Sequence, residues 1–128
     1  MAKILVIDDD RGIRHLLGTF LRHKGYEVLL AGNGQDGLEL LRQEHLDVIV
    51  LDLQMPDMDG LTVLRHIRSL NAHQPVIIFS GAYTEKMDRQ IRILGITELV
   101  TKDGSLDDLG EALKRALASP DSGEGDGE

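Results

Sequence analysis

Ile4-Leu5-Val6-Ile7 runs into Asp8-Asp9-Asp10, and Val48-Ile49-Val50-Leu51 runs into Asp52. Val76-Ile77-Ile78-Phe79 ends on Ser80, and Leu99-Val100-Thr101 ends on Lys102. Carboxylates, a hydroxyl and an ammonium at the ends of four aliphatic runs suit a divalent cation plus a phosphoryl group. Carboxylates packed together repel and are costly without a cation between them. Oxygen-only ligation points to Mg²⁺, which keeps several waters and takes one or two carboxylates plus a phosphate. A carboxylate held on such a metal can attack a phosphoryl group and become an acyl phosphate. A hydroxyl and an ammonium opposite would hold the phosphoryl oxygens and oppose the added charge.

These residues work together only if the aliphatic runs lie side by side. Continuous β-branched runs of this length read as strands buried on both faces, as in a parallel sheet covered by helices. The pattern of strand then helix occurs five times. Asp10, Asn33, Thr84 and Ser105 are candidate helix caps, and Gly25 and Gly95 are helix stops. Tyr26–Leu30 is expected as the second strand, Leu46–Leu51 as the third and Glu98–Thr101 as a short fifth. The segment from Gln54 to Gly60 is loop chemistry, in which Asp57 and Asp59 read as turn formers. The expected fold class is α/β, a doubly wound five-stranded parallel sheet with right-handed crossovers. Ligands of such sheets bind beyond the carboxyl ends of the strands, where the strand order reverses.

A length of 128 residues suits one domain. Only 3% of residues are aromatic, so the core must be aliphatic and little is left to stack on bases. The formal charge of −8 repels phosphate backbones, so no direct nucleic-acid binding is expected. The chain has no cysteine, which excludes disulfides and thiolate chemistry. Met1-Ala2-Lys3 enters a strand without signal-peptide architecture, and no apolar run reaches membrane-spanning length. A cytoplasmic location is therefore expected. The five histidines fall mostly on helix patterns with arginine or leucine neighbours, and all read as surface residues. Residues 1–118 are expected to form the domain. Ser119–Glu128, with four acids and no apolar residue, is expected to be a disordered acidic tail or the start of a linker.

The order Asp8-Asp9, then Asp52 in Asp-Leu-Gln-Met-Pro-Asp-Met-Asp-Gly, then Ser80, then Lys102 resembles the receiver domain of bacterial two-component response regulators. The resemblance covers roughly residues 3–118 and implies the flavodoxin-like strand order 2-1-3-4-5. It implies that Asp52 is the phosphoacceptor, Ser80 the switch hydroxyl and Lys102 the phosphoryl-binding cation. It further implies that Asp8, Asp9, Asp52 and the backbone carbonyl of Gln54 hold Mg²⁺. The phosphodonor would be a histidine kinase or a histidine phosphotransfer protein, and the output a downstream protein target or effector domain. Enzymology would be limited to taking and losing a phosphoryl group.

Three positions depart from that pattern. Asp103 stands where proline usually follows the lysine, so the Lys102–Asp103 peptide is expected to be trans and Asp103 to compete for the ammonium. Leu99 stands where an aromatic ring is common, and Gly81 replaces the usual alanine. Two other readings compete. Asp8-x-Asp10 also resembles the first motif of haloacid-dehalogenase-type phosphatases, although Gly12 and a helical Asp107-Asp108 oppose this. A receiver-like interaction module independent of phosphorylation is the third.

Overall fold

Each of the four aliphatic runs lies in a strand, and the site residues follow them. A computed structural model describes residues 1–81 and 83–118. Five strands, β1 (Lys3–Ile7), β2 (Glu27–Ala31), β3 (Val48–Leu51), β4 (Val76–Ser80) and β5 (Glu98–Thr101), alternate with five helices. The helices are α1 (Arg11–His23), α2 (Gly34–Gln43), α3 (Gly60–Leu70), α4 (Glu85–Leu94) and α5 (Leu106–Ala118). All strand pairs are parallel, in the order β2-β1-β3-β4-β5. The chain thus moves outward from β1 to β2 and returns to β3 on the other side of β1. This reversal opens a crevice at the carboxyl ends of β1 and β3.

Side chains alternate across the sheet and fill two aliphatic layers. Leu5, Ile7, Ile49, Leu51, Val76 and Ile78 point to α2, α3 and α4, where Leu38, Val63, Leu64, Ile67 and Ile91 meet them. Ile4, Val6, Val48, Val50, Ile77 and Phe79 point to α1 and α5, against Leu17, Leu21, Leu109 and Leu113. Burial on both faces explains why the strands read as unbroken apolar runs.

Local signals set the element ends. Asp10 accepts from the Ile13 N–H at 3.1 Å, Asn33 from Asp36 at 2.8 Å, and Thr84 from Met87 at 3.1 Å. Asp59, expected in a turn, is the N-cap of α3 and accepts from Thr62 at 2.9 Å. Ser105 precedes α5, and its carbonyl accepts the Asp108 N–H at 3.1 Å. Gly25 and Gly95 follow α1 and α4 with φ of 95° and 91°, which costs least at glycine.

Two strand boundaries differ from expectation. β2 starts and ends one residue later, because Ala31 pairs with Ile7 and its carbonyl accepts the Asp8 N–H at 3.1 Å. β3 starts at Val48 and not at Leu46. Leu46 is buried, but its carbonyl is taken by the Gln74 side chain at 3.1 Å in place of a neighbouring strand. The Lys102–Asp103 peptide is trans, as expected. No helix among the described residues is long and apolar enough to cross a membrane. The expected tail, 119–128, lies outside the described residues.

Candidate functional site

Register brings the carboxylates together. Ile7 pairs with Leu51, so Asp8 and Asp52 leave adjacent strands side by side at the crevice. Ser80 pairs with Thr101, and the Lys102 N–H continues the ladder to the Ser80 carbonyl at 3.0 Å. Asp8 and Asp52 are buried at 1% and 4% exposure, whereas Asp9 is exposed. One carboxylate oxygen from each of Asp8, Asp9 and Asp52 lies within 4.8 Å of the others.

The Lys102 ammonium is 2.7 Å from Asp8 Oδ2 and 3.5 Å from Asp52 Oδ2. It is the sole partner of Asp8 Oδ2 among the described residues, met as an ion pair without hydrogen-bond alignment. Asp8 Oδ1 accepts the Asp10 N–H at 3.0 Å, and Asp52 Oδ1 accepts the Gln54 N–H at 3.3 Å. Burial, and then the neighbouring charge of Asp8, push the Asp52 carboxyl above its ordinary pKa; the Gln54 N–H and Lys102 pull the other way. For Lys102, burial acts to lower the pKa, but the pairing with Asp8 and Asp52 outweighs it and the net shift is upward. The cluster therefore holds three carboxylates against one ammonium, a surplus of negative charge facing solvent through Asp9.

Asp103 is exposed and makes no ion pair within 4.0 Å among the described residues. The expectation that it competes for the ammonium is corrected: the Lys102 side chain turns inward, where two buried carboxylates outbid a solvated one. Its Nζ also lies 5.9 Å from the centre of the Phe79 ring. Asp10 stays outside the cluster as the cap of α1, and Asp107-Asp108 lie in the first turn of α5. Both placements oppose the phosphatase reading, which needs Asp10 in the site. The five histidines are all exposed, as expected.

Two supporting residues were not anticipated. The Arg14 guanidinium donates to the Asp8 carbonyl at 2.8 Å and pins the turn that carries Asp8 and Asp9. An arginine near the start of an amphipathic helix gives little sequence signal for this. Gly60 presses its backbone on the site: a Cβ there would lie 2.4 Å from the Asp52 carbonyl oxygen and 2.5 Å from Leu53 Cα. The glycine that closes the loop is thus required by close approach alone, since its φ is not positive.

The family model for the response regulator receiver domain matches residues 4–114. Regulatory protein AtoC of Escherichia coli is 36% identical over 117 residues, covering 90% of this chain but 25% of AtoC. Sporulation initiation phosphotransferase F of Bacillus subtilis is 31% identical over 115 residues, covering 90% of this chain and 93% of that protein. Among solved structures, the receiver domain protein of Methanospirillum hungatei gives a TM-score of 0.88 at 26% identity, over 91% of this chain and 94% of that one. The response regulator TrrA of Thermotoga maritima, solved in complex with Mg²⁺ and BeF, gives 0.84 at 32% identity, over 91% and 100%.

Proposed function

The chain belongs to the response regulator receiver domain family of two-component systems, and from that premise we propose that Asp52 takes a phosphoryl group from a histidine kinase or a histidine phosphotransfer protein. The observation that carries this reading is the buried Asp52 carboxylate, set beside Asp8 and Asp9 with Lys102 3.5 Å away. An Asp52 oxygen attacks the phosphorus of a phosphohistidine. The N–P bond breaks, its electron pair stays on the imidazole, and an acyl phosphate forms on Asp52. The receiver unit is assigned to residues 1–118, and its cellular setting to the cytoplasm.

The donor set fits Mg²⁺: all ligands are oxygens, two are buried, and their mutual repulsion calls for a cation. Asp8, Asp9, Asp52 and the Gln54 carbonyl would hold it. When bound, it would neutralise charge on the transferring phosphoryl group. Gln54 donates its N–H to one Asp52 oxygen and so orients the carboxylate. Lys102 is then drawn from Asp8 toward the phosphoryl oxygens, because the acyl phosphate on Asp52 carries about 1.5–2 negative charges in place of the single charge of the carboxylate. Ser80, buried at the end of β4, supplies a hydroxyl to the same group. The modified face then engages a downstream protein or effector domain.

The test is phosphorylation by a small acyl phosphate. One phosphoryl group per chain is expected with Mg²⁺, with none in excess chelator and none in Asp52→Asn. Labelling that persists in chelator or in the variant would overturn the proposal.

A further inference from the structure

Tyr83 stands apart from the other aromatic residues. Phe20, Tyr26 and Phe79 belong to the α1–α5 side of the sheet. Tyr83 is the one aromatic residue packed against the α2–α3–α4 side among the described residues, where Met87 and Leu99 share its cluster. Its ring is half-buried, and its hydroxyl donates to Asp88 Oδ1. Asp88 Oδ2 accepts from Arg92 Nε at 2.8 Å. A phenol, a carboxylate and a guanidinium thus form a chain along α4, from the residues before its first turn to its last.

Tyr83 is also tied closely to the candidate site. It lies three residues after Ser80, a tether of at most roughly 10 Å when fully extended. Ser80 is 1% exposed, and its carbonyl receives the Lys102 N–H. A phosphoryl group that draws Ser80 and Lys102 inward therefore pulls on a tyrosine whose hydroxyl is fixed to α4. Leu99, packed in the same cluster, has no directional bond to transmit such a pull. Tyr83 does, and Asp88 keeps Arg92 when the tyrosine lets go, so no carboxylate is left unpaired by the exchange. Burial, then the Asp88 hydrogen bond, push the Tyr83 phenol up to about 12, so it remains a donor throughout the physiological range.

We propose that Tyr83 is the positioning residue through which the site on Asp52 moves the first turn of α4, by shifting its hydrogen bond to Asp88. This rests on Asp52 being the phosphoacceptor, and the experiment separates the two claims. Amide spectra of the full chain are recorded with Mg²⁺, before and after addition of beryllofluoride. The parent should shift at 52–54 and at 85–88. Tyr83→Phe keeps the ring and removes the hydroxyl; its shifts at 52–54 should be retained at the same beryllofluoride concentration, while those at 85–88 fall several-fold. Asp88→Asn, a weaker acceptor of the same shape, should behave like Tyr83→Phe. Arg92→Gln, which breaks the ion pair and spares the tyrosine bond, should keep the parent response. Undiminished shifts at 85–88 in Tyr83→Phe, or an equal loss in Arg92→Gln, would overturn the proposal while leaving Asp52 as acceptor. A parent with no shift at 52–54 would overturn the Asp52 reading and this one with it.

Discussion

Lys102 is shared unequally, 2.7 Å from Asp8 and 3.5 Å from Asp52, and this decides what each carboxylate costs the fold. Asp8 is compensated by the close ammonium. Asp52 is buried beside a like charge, and its raised pKa means that its ionised form is less favourable folded than unfolded. Asp52→Asn should therefore stabilise the protein in chelator, on the order of 1 kcal/mol, the ordinary size of a single-substitution effect. With excess Mg²⁺ the gain should vanish, because only the parent keeps the full ligand set and is stabilised by binding. Denaturant melts with and without metal check both signs. Tyr83 offers a second test at this scale. With Tyr26→Phe it becomes the only tyrosine in a chain without tryptophan, and its ultraviolet titration should have a midpoint of about 12 against an ordinary value of 10.0. Asp88→Asn should lower the midpoint part of the way, since burial remains. The folded phenol holds its proton more tightly than the unfolded one. Its contribution to stability is therefore complete below pH 10 and lost as pH rises through about 12.

At the scale of elements, the turns that follow β1 and β3 do the positioning. Asp8, Asp9 and Asp10 are consecutive but hold three places: a buried partner of Lys102, an exposed oxygen in the acidic cluster, and the cap of α1. Asp10→Ala should cost about 1 kcal/mol of stability, as loss of a helix cap does, and leave Mg²⁺ affinity nearly unchanged. Asp9→Ala should do the reverse, and metal titration of the two variants separates them. Gly60→Ala should cost about 1–3 kcal/mol, since an added methyl would strike backbone that carries Asp52. Gly81→Ala should change stability by less than about 0.5 kcal/mol, because the nearest atom to its added methyl is Lys102 Cβ at 3.8 Å. Thermal melts of both variants check the contrast. Caps at Asp10, Asn33 and Thr84 were readable because each pairs a short polar side chain with an apolar stripe directly after it. Asp59 read as a turn because the proline and glycine around it carried the stronger signal.

For the whole molecule, two-sided burial made the strands legible, and their polar endings marked the rim. Residue-level reading led to a parallel sheet, while the order β2-β1-β3-β4-β5 came by way of family resemblance and is found in the structure. The composition of the acidic cluster was legible as well, since Asp8 and Asp52 each directly follow a strand. The direction of the Lys102 side chain was not. It depends on which neighbouring carboxylates are desolvated, and a sequence does not display this. Arg14 and Tyr83 escaped for another reason: their partners, the Asp8 carbonyl six residues before and the Asp88 carboxylate five residues after, depend on how each loop enters its helix, which spacing alone does not display. Each proposed step depends on a carboxylate oxygen of Asp52 carrying the phosphoryl group, and an acyl phosphate can be trapped chemically. After reaction with a small acyl phosphate and Mg²⁺, borohydride should reduce the phosphorylated side chain to homoserine, which peptide mass spectrometry locates. Homoserine at position 52 alone is the expected result; homoserine at position 8 or 9, with Asp52 intact, would contradict it.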